Sequence, residues 1–235
     1  MAALLAIFTF ALFVTLEIVL SRRRAAAEQK AGVAPAPVRS PSLPVPKIVE
    51  PVWVAGFEVP EDLHYHQGHT WARAVGPDTV AVGMDDFATR LAGPANRLEV
   101  PDAGSWVQQG GDTFRVDSNG RSAHLVSPVD GEVVEVNPEL RNDPSLSTKD
   151  PYRRGWICTV RVPGMAANLR NLLSGRMARR WIEETRDQLE LRLMALSGSV
   201  LQDGGEPARD FARHLDTQDW KVLVEGFLLT KVDDK

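Results

Sequence analysis

The sequence of 235 residues is poor in the side chains that most covalent and redox chemistry uses. It contains one cysteine, Cys158, so an intramolecular disulfide is excluded. The alternating run around it places Cys158 on the inward side of a strand, together with Trp156 and Val160. We therefore expect Cys158 to be a small buried apolar side chain and not a reactive thiol. Lysine is also scarce, since Lys149 is the only one between residues 52 and 164.

The motifs of the common enzyme classes are absent from the sequence. It has no Gly-x-Ser-x-Gly elbow, no Walker loop and no Gly-x-Gly-x-x-Gly motif after a strand. His64, His66 and His69 lie close together, but no cysteine or carboxylate has the spacing of a further metal ligand, although folding could bring His124 near them. The sequence therefore predicts no catalytic residue and no metal site, and it does not indicate an enzyme.

The charge balance argues against a nucleic-acid partner. The formal net charge is −4, and residues 53–163 hold 16 acidic and 10 basic side chains. A nucleic-acid interface needs an excess of Lys and Arg on one face. We therefore expect residues 53–163 to contact a basic or neutral protein partner.

An apolar segment opens the chain and predicts a membrane anchor. Residues 2–20 are almost wholly apolar, and about 20 such residues cross a bilayer as a helix. Arg22, Arg23 and Arg24 follow this segment and nothing basic precedes it, the reverse of a secretory signal peptide. The positive-inside rule then places the rest of the chain in the cytoplasm. We expect residues 1–21 to be a single-pass anchor in the cytoplasmic membrane, with a cleaved signal or a buried soluble helix as alternatives.

Composition and periodicity divide the remaining sequence into three parts. Residues 22–52 are rich in Ala and Pro and have no hydrophobic period, which predicts an extended linker. Residues 53–163 carry short alternating apolar runs, typical of a compact β domain, with a short helix predicted at 84–91. Residues 164–235 change to helical spacing, with helices predicted at 166–173 and 177–196 and a last one after Thr217 as a possible N-cap.

The last predicted helix has an apolar face that must be covered, because a short helix is not stable in water on its own propensity. We name Trp220, Leu223, Phe227 and Leu228 on this face as candidate interaction residues. The face either packs on the β domain, which we favour, or binds a partner.

Five stretches between residues 57 and 162 follow, in order, the pattern of one known family. They are Tyr-x-x-x-His-x-Trp at 65–71, Val-Gly-x-Asp-Asp-Phe-Ala at 82–88, Gly-x-x-Val-x-x-Gly at 104–110, Ser-Pro-x-x-Gly-x-Val-x-x-Val-Asn at 127–137 and Asp-Pro-Tyr-x-x-Gly-Trp at 150–156. In this order they resemble biotinyl/lipoyl-type domains, and more narrowly the H protein of the glycine cleavage system. The resemblance implies a mainly β, barrel-sandwich hybrid fold for residues 53–163, to which the anchor and a helical C-terminal extension are added.

The resemblance also assigns a position to the family's lipoylated lysine, and here that position is Gly120. Lipoyl attachment is an amide on a lysine ε-amino group, which glycine lacks, and Lys149 falls in the Asp-Pro loop instead. The resemblance therefore implies the shape of the carrier without its arm, and no lipoyl cofactor. Asn119-Gly120 is itself a favoured pair for a two-residue type I′ turn. The same resemblance places His69 beside the groove of the lipoyl arm.

Three functions are compatible with these observations. The first is a membrane-anchored, non-lipoylated module that acts as a scaffold or assembly subunit by protein contact. The second is a functional lipoyl carrier of the glycine cleavage system with the modification placed elsewhere. The third is a membrane-fusion subunit of an efflux pump, although such proteins insert a long helical hairpin between their two lipoyl halves and only about ten residues are available here.

Overall fold

The computed structural model describes residues 51–197 and 211–232. The described residues contain eleven strands: β1 Trp53–Val54, β2 Phe57–Glu58, β3 His64–Tyr65, β4 Thr70–Ala74, β5 Thr79–Met84, β6 Arg97–Glu99, β7 Trp106–Val107, β8 Asp112–Ser118, β9 Arg121–Val126, β10 Gly131–Val136 and β11 Cys158–Arg161. The predicted anchor, residues 1–21, and nearly all of the linker lie outside the described residues. Within the described residues, no helix has the length and apolar character needed to cross a membrane.

The strands form two main antiparallel sheets and a small hairpin. One sheet has six strands in the order β3-β4-β5-β11-β10-β7, the second has three in the order β6-β8-β9, and β1 pairs with β2. Both main sheets contribute to one core, since Val82 and Val133 of the first and Phe114 and Leu125 of the second are all buried. The expectation of a mainly β domain is therefore confirmed.

A short helix, α1, Asp86–Ala92, follows β5 where the sequence predicted one. Asp85 is its N-cap, and its carboxylate accepts a hydrogen bond from Ala88 N at 2.8 Å. Inside the helix, Arg90 is buried because its guanidinium donates to Asp86 and to Gly56 O and lies over the Phe57 ring. These contacts attach α1 to the hairpin of β1 and β2.

Helices account for most of the described residues after β11, and two further short helices precede that strand. The described helices are α2 Pro138–Asn142, α3 Leu146–Lys149, α4 Met165–Arg170, α5 Gly175–Ser197 and α6 Thr217–Leu228, with a 3-10 turn at Phe211–His214. The predicted helices lie within one to three residues of α4 and α5. The predicted cap of α6 was wrong, because Asp216 and not Thr217 is the N-cap, its carboxylate accepting from Asp219 N at 2.8 Å.

Gly131, in the Ser-Pro-x-x-Gly motif, is expected to be intolerant of a side chain. A Cβ at this position would lie 2.7 Å from Val160 Cγ1 and closer still to the carbonyl oxygen of Arg161. Since a backbone oxygen in a paired strand cannot move aside, Gly131→Ala should destabilise the fold by about 3 kcal/mol, the upper part of the range for overpacking. Gly76→Ala is the control, because its Cβ meets nothing nearer than 3.5 Å. Equal urea midpoints for the two variants would contradict this.

Candidate functional site: the hairpin tip and its groove

The hairpin of β8 and β9 ends in a two-residue turn. Ser118 pairs with Arg121, and the turn residues Asn119 and Gly120 have φ of 49° and 80°. Two consecutive positive φ values identify a type I′ turn, as the Asn-Gly pair predicted. Gly120 is exposed, and a Cβ placed on it would meet nothing within 4 Å. The tip is therefore open, but its backbone conformation favours glycine.

A polar network holds the two strands together just below the tip. The Asp117 carboxylate accepts hydrogen bonds from Arg115 Nε at 3.0 Å and from Ser122 Oγ at 2.6 Å. Arg115 also donates to Ser122 Oγ at 2.9 Å, which closes the network across the hairpin. Burial alone would raise the pKa of Asp117, but the hydrogen bonds from Ser122 and Arg115 outweigh it and hold that pKa below its ordinary value.

Helix α6 fills a groove between β9 and α1. At the start of β9, the Arg121 guanidinium donates to Ala212 O and Leu215 O and lies 5.4 Å from the centre of the Trp220 ring. Further along β9, His124 O accepts from Thr230 Oγ1 at 2.7 Å. Helix α6 therefore runs alongside β9 in the same direction, starting near the hairpin tip.

The candidate interaction residues lie inside this groove and not on the surface. Trp220, Leu223, Phe227 and Leu228 are at most 4% exposed. The Trp220 indole also donates to Leu91 O at 2.8 Å, so its polar group is satisfied in place. The described chain itself covers the apolar face of α6, and these four side chains present no surface to a partner.

His69 lies at the floor of the groove in a box of aromatic rings. Its ring is 1% exposed, and its Nδ1 lies 2.8 Å from Asp85 Oδ2. It stacks between Phe87 of α1 and Trp181 of α5, with ring centres 4.2 and 4.6 Å away, and meets the edge of Phe227 from α6. Asp85 therefore has two roles, since its second oxygen caps α1. This pair joins three helices to the β domain.

The other two histidines of the cluster do not join His69 in a metal site. His66 Nδ1 accepts a hydrogen bond from Gly68 N at 3.0 Å, which occupies that nitrogen. Burial lowers the pKa of both His64 and His66, and the neighbouring His69 lowers that of His66 further. Among residues 51–197 and 211–232, no group of three His, Cys, Asp or Glu side chains is placed to hold a metal.

Two further residues singled out in the sequence lie away from the hairpin tip. Cys158 in β11 is fully buried, and burial raises the pKa of its thiol to about 12. A thiol in that environment does not ionise near neutral pH, so it is inert as a nucleophile. Lys149 is the last residue of α3 and is exposed there.

Comparison with known proteins assigns the chain to a family. The family model described as glycine cleavage H-protein matches residues 63–185. This chain belongs to the glycine cleavage H-protein family. A glycine cleavage system H protein of Anaeromyxobacter sp. (strain K) is 35% identical over 128 residues, which are 54% of this chain and 98% of that relative. One from Mycobacterium avium (strain 104) is 38% identical over 110 residues, 47% of this chain and 83% of the relative.

Among solved structures, the glycine cleavage system H protein of Mycobacterium marinum aligns with a TM-score of 0.46 and 27% identity, covering 54% of this chain and 98% of that one.

The H-protein family match ends at residue 185, ahead of α6. The helix that fills the groove is therefore an addition to the part that the family model describes.

Several contacts of the site had no signal in the sequence. The sequence places Arg121 on the hairpin, but its two acceptors lie 91 and 94 residues further along the chain. The position of Trp181 against His69 likewise depends on how α5 packs. Asp85 had a local signal as a helix-start residue, but its hydrogen bond to His69 had none, because it links residues 16 positions apart.

Proposed function

We propose that this chain is a membrane-anchored member of the H-protein family that carries no lipoyl arm on its hairpin and acts by protein contact, as a scaffold or assembly subunit. The observation that carries the proposal is the hairpin tip, where Asn119 and Gly120 form a type I′ turn of two residues. A lipoyl amide needs a lysine amine, and the hairpin has none. In the proposal, the partner is a protein of a complex at the cytoplasmic face of the membrane.

The rest of the fold supports a structural role. The core is well filled, since Trp71 and Phe114 of the two sheets and Phe87 of α1 are each at most 1% exposed. The groove beside the hairpin is occupied by α6, so a free arm would find no place in it. A module with a stable fold, a hairpin tip without a lysine and a filled groove retains its outer surfaces for binding.

The anchor is the second part of the proposal and rests on residues 1–24. Fractionation of cells that produce the full chain should place it in the membrane, from which carbonate at high pH does not release it. A variant without residues 1–24 should be soluble, with the β-type circular dichroism of the domain unchanged. Recovery of the full chain in the soluble fraction would contradict the anchor.

A functional lipoyl carrier is the second candidate, and the comparisons favour it. The relatives are named glycine cleavage system H protein and are 35% and 38% identical to this chain. In this case a lysine elsewhere would carry the arm, and Lys149 is the only lysine within the family match. Intact-mass analysis of the full chain from lipoate-competent cells separates the two: one lipoyl adduct would overturn the first proposal, and an unmodified mass would overturn the second.

The membrane-fusion alternative has less support. The two halves of the domain are joined at Asn119 and Gly120 by a turn of two residues. The long helical hairpin expected between the halves of such a subunit is not present there.

Replacing Gly120 with lysine is expected not to restore efficient lipoylation. The family's hairpin is read by its modifying enzyme, and here Asn119, Arg121 and His124 depart from the family pattern. In addition, Arg121 is held by Ala212 O and Leu215 O, which places the C-terminal segment beside the tip. Intact mass after co-expression with a lipoyl ligase measures this, with an authentic H protein as the positive control. Complete modification of Gly120→Lys would show that the glycine alone accounts for the loss.

A further inference from the structure

A cluster of arginines interrupts the acidic character of the chain. Residues 165–182 contain four arginines and no Asp or Glu, whereas the whole chain has a net charge of −4. The cluster spans α4, the link to α5 and the first two turns of α5. We call its exposed part the basic patch, made of Arg170, Arg176, Met177 and Arg180.

The basic patch is directed to solvent. Arg170 and Arg176 are exposed, and the Arg180 side chain is 78% exposed, with a surface ion pair to Glu184 as its contact. In the middle of these charges, Met177 is 66% exposed. The opposite side of the same turns is packed, since Ala178 and Ile182 are buried.

Helix stability does not explain this arrangement. Positive side chains at the start of a helix oppose its dipole and cost a few tenths of a kcal/mol each, and α5 has no acidic residue in its first turn. The charge balance then reverses along α5, since residues 183–192 hold four acidic side chains and two arginines. Leu191 lies in this net acidic stretch and is 67% exposed, so it matches Met177 in exposure but not in the sign of the charge around it.

We propose that the basic patch docks on an anionic lipid surface, with its arginines at the headgroups and Met177 at the acyl boundary. This proposal rests on the proposed membrane anchor, which would hold the domain near the cytoplasmic leaflet. Arginine charges attract phosphatidylserine headgroups by about 1 kcal/mol each, and an apolar side chain among them adds burial. A polyanion such as RNA fits less well, because stable binding takes more phosphate contacts than the three arginines of the basic patch provide.

The test uses an environment-sensitive dye on the full chain. Cys158 is fully buried, so a cysteine introduced as Met177→Cys can be labelled selectively with a nitrobenzoxadiazole maleimide. The labelled chain is reconstituted in phosphatidylcholine vesicles with and without about one third phosphatidylserine. Phosphatidylserine should shift the emission to the blue, and raising the salt to about 1 M, where the Debye length is about 3 Å, should reverse the shift.

Matched variants make the result specific to the basic patch. Leu191→Cys carries the same dye in the net acidic stretch of α5, residues 183–192, and its emission should not shift. Arg176→Gln and Arg180→Gln should each lower the docked-to-free ratio about fivefold, whereas Arg97→Gln, which removes an arginine 71% exposed on β6, should leave it unchanged.

Several results would overturn the proposal: equal shifts at positions 177 and 191, a shift independent of phosphatidylserine, or a shift with RNA oligonucleotides and none with vesicles. If the chain does not reconstitute at all, the proposed anchor is wrong. The same vesicles are then added to the soluble chain, where the absence of a shift at position 177 would contradict lipid docking independently.

Discussion

Trp220→Ala and Phe227→Ala, singly and together, are expected to destabilise the isolated protein strongly. Each removes a large ring that is at most 4% exposed, and truncation of a buried aromatic costs about 3–5 kcal/mol. Trp220 also loses its hydrogen bond to Leu91 O and its contact with Arg121. Chemical denaturation and thermal melting of both single variants and the double variant measure the effect.

Val222→Ala is the matched control, since Val222 is on the same helix but 43% exposed. Its midpoint should stay close to that of the wild type, as for most surface substitutions. The double variant should lose less than the sum of the two single effects, because Trp220 and Phe227 fill the same groove. An unchanged midpoint in the double variant would mean that α6 does not pack on the domain in solution and would return these residues to a role in partner binding.

Asp85→Ala is expected to cost about 2–4 kcal/mol, because one carboxylate accepts hydrogen bonds from two buried partners. Its loss leaves the His69 imidazole, 1% exposed, without its hydrogen-bonding partner, which costs about 1–3 kcal/mol. It also removes the N-cap of α1, which is worth about 1 kcal/mol. Trp181 and Phe227 both contact His69, so α5 and α6 should loosen together.

Asp216→Ala separates the two contributions. Asp216 caps α6 through an exposed hydrogen bond to Asp219 N and has no buried histidine partner in its contacts. Its loss should cost about 1 kcal/mol, and the difference from Asp85→Ala then reports the buried pair. Equal midpoints for the two variants would show that the His69–Asp85 contact contributes nothing to stability. Hydrogen exchange at α5 and α6 gives a second readout of the same coupling.

The local features of the domain could be predicted from sequence because they depend on neighbouring residues. The type I′ turn follows from Asn119-Gly120, α1 from the acidic start and the spacing of Phe87 and Leu91, and the strands from alternation. The H-protein family was recognisable from five motifs in order. Burial of Cys158 likewise followed from its side of an alternating strand.

The groove could not be predicted from sequence, because its walls come from distant parts of the chain. The apolar face of α6 indicated that something must cover it, but the pattern is the same for an intramolecular groove and for a partner. In the structure the described chain itself covers this face, since its four named residues are at most 4% exposed. The hydrogen bonds from Arg121 that help to hold the segment have no sequence pattern, because their acceptors, at Ala212 and Leu215, are backbone carbonyls. The cap of α6 was misassigned because Asp216 and Thr217 are adjacent residues that both favour that position.

The residues that form the groove are synthesised at different times. Leu91 and Trp220, which meet in it, are 129 residues apart, and a ribosome that adds about 5–20 residues per second needs roughly 6 to 26 s to make the second after the first. During that time Phe87 and Leu91 line an uncovered apolar surface on the nascent chain. We therefore expect the growing chain to depend on chaperones for most of its synthesis, and chains that end prematurely before α6 to aggregate or be degraded.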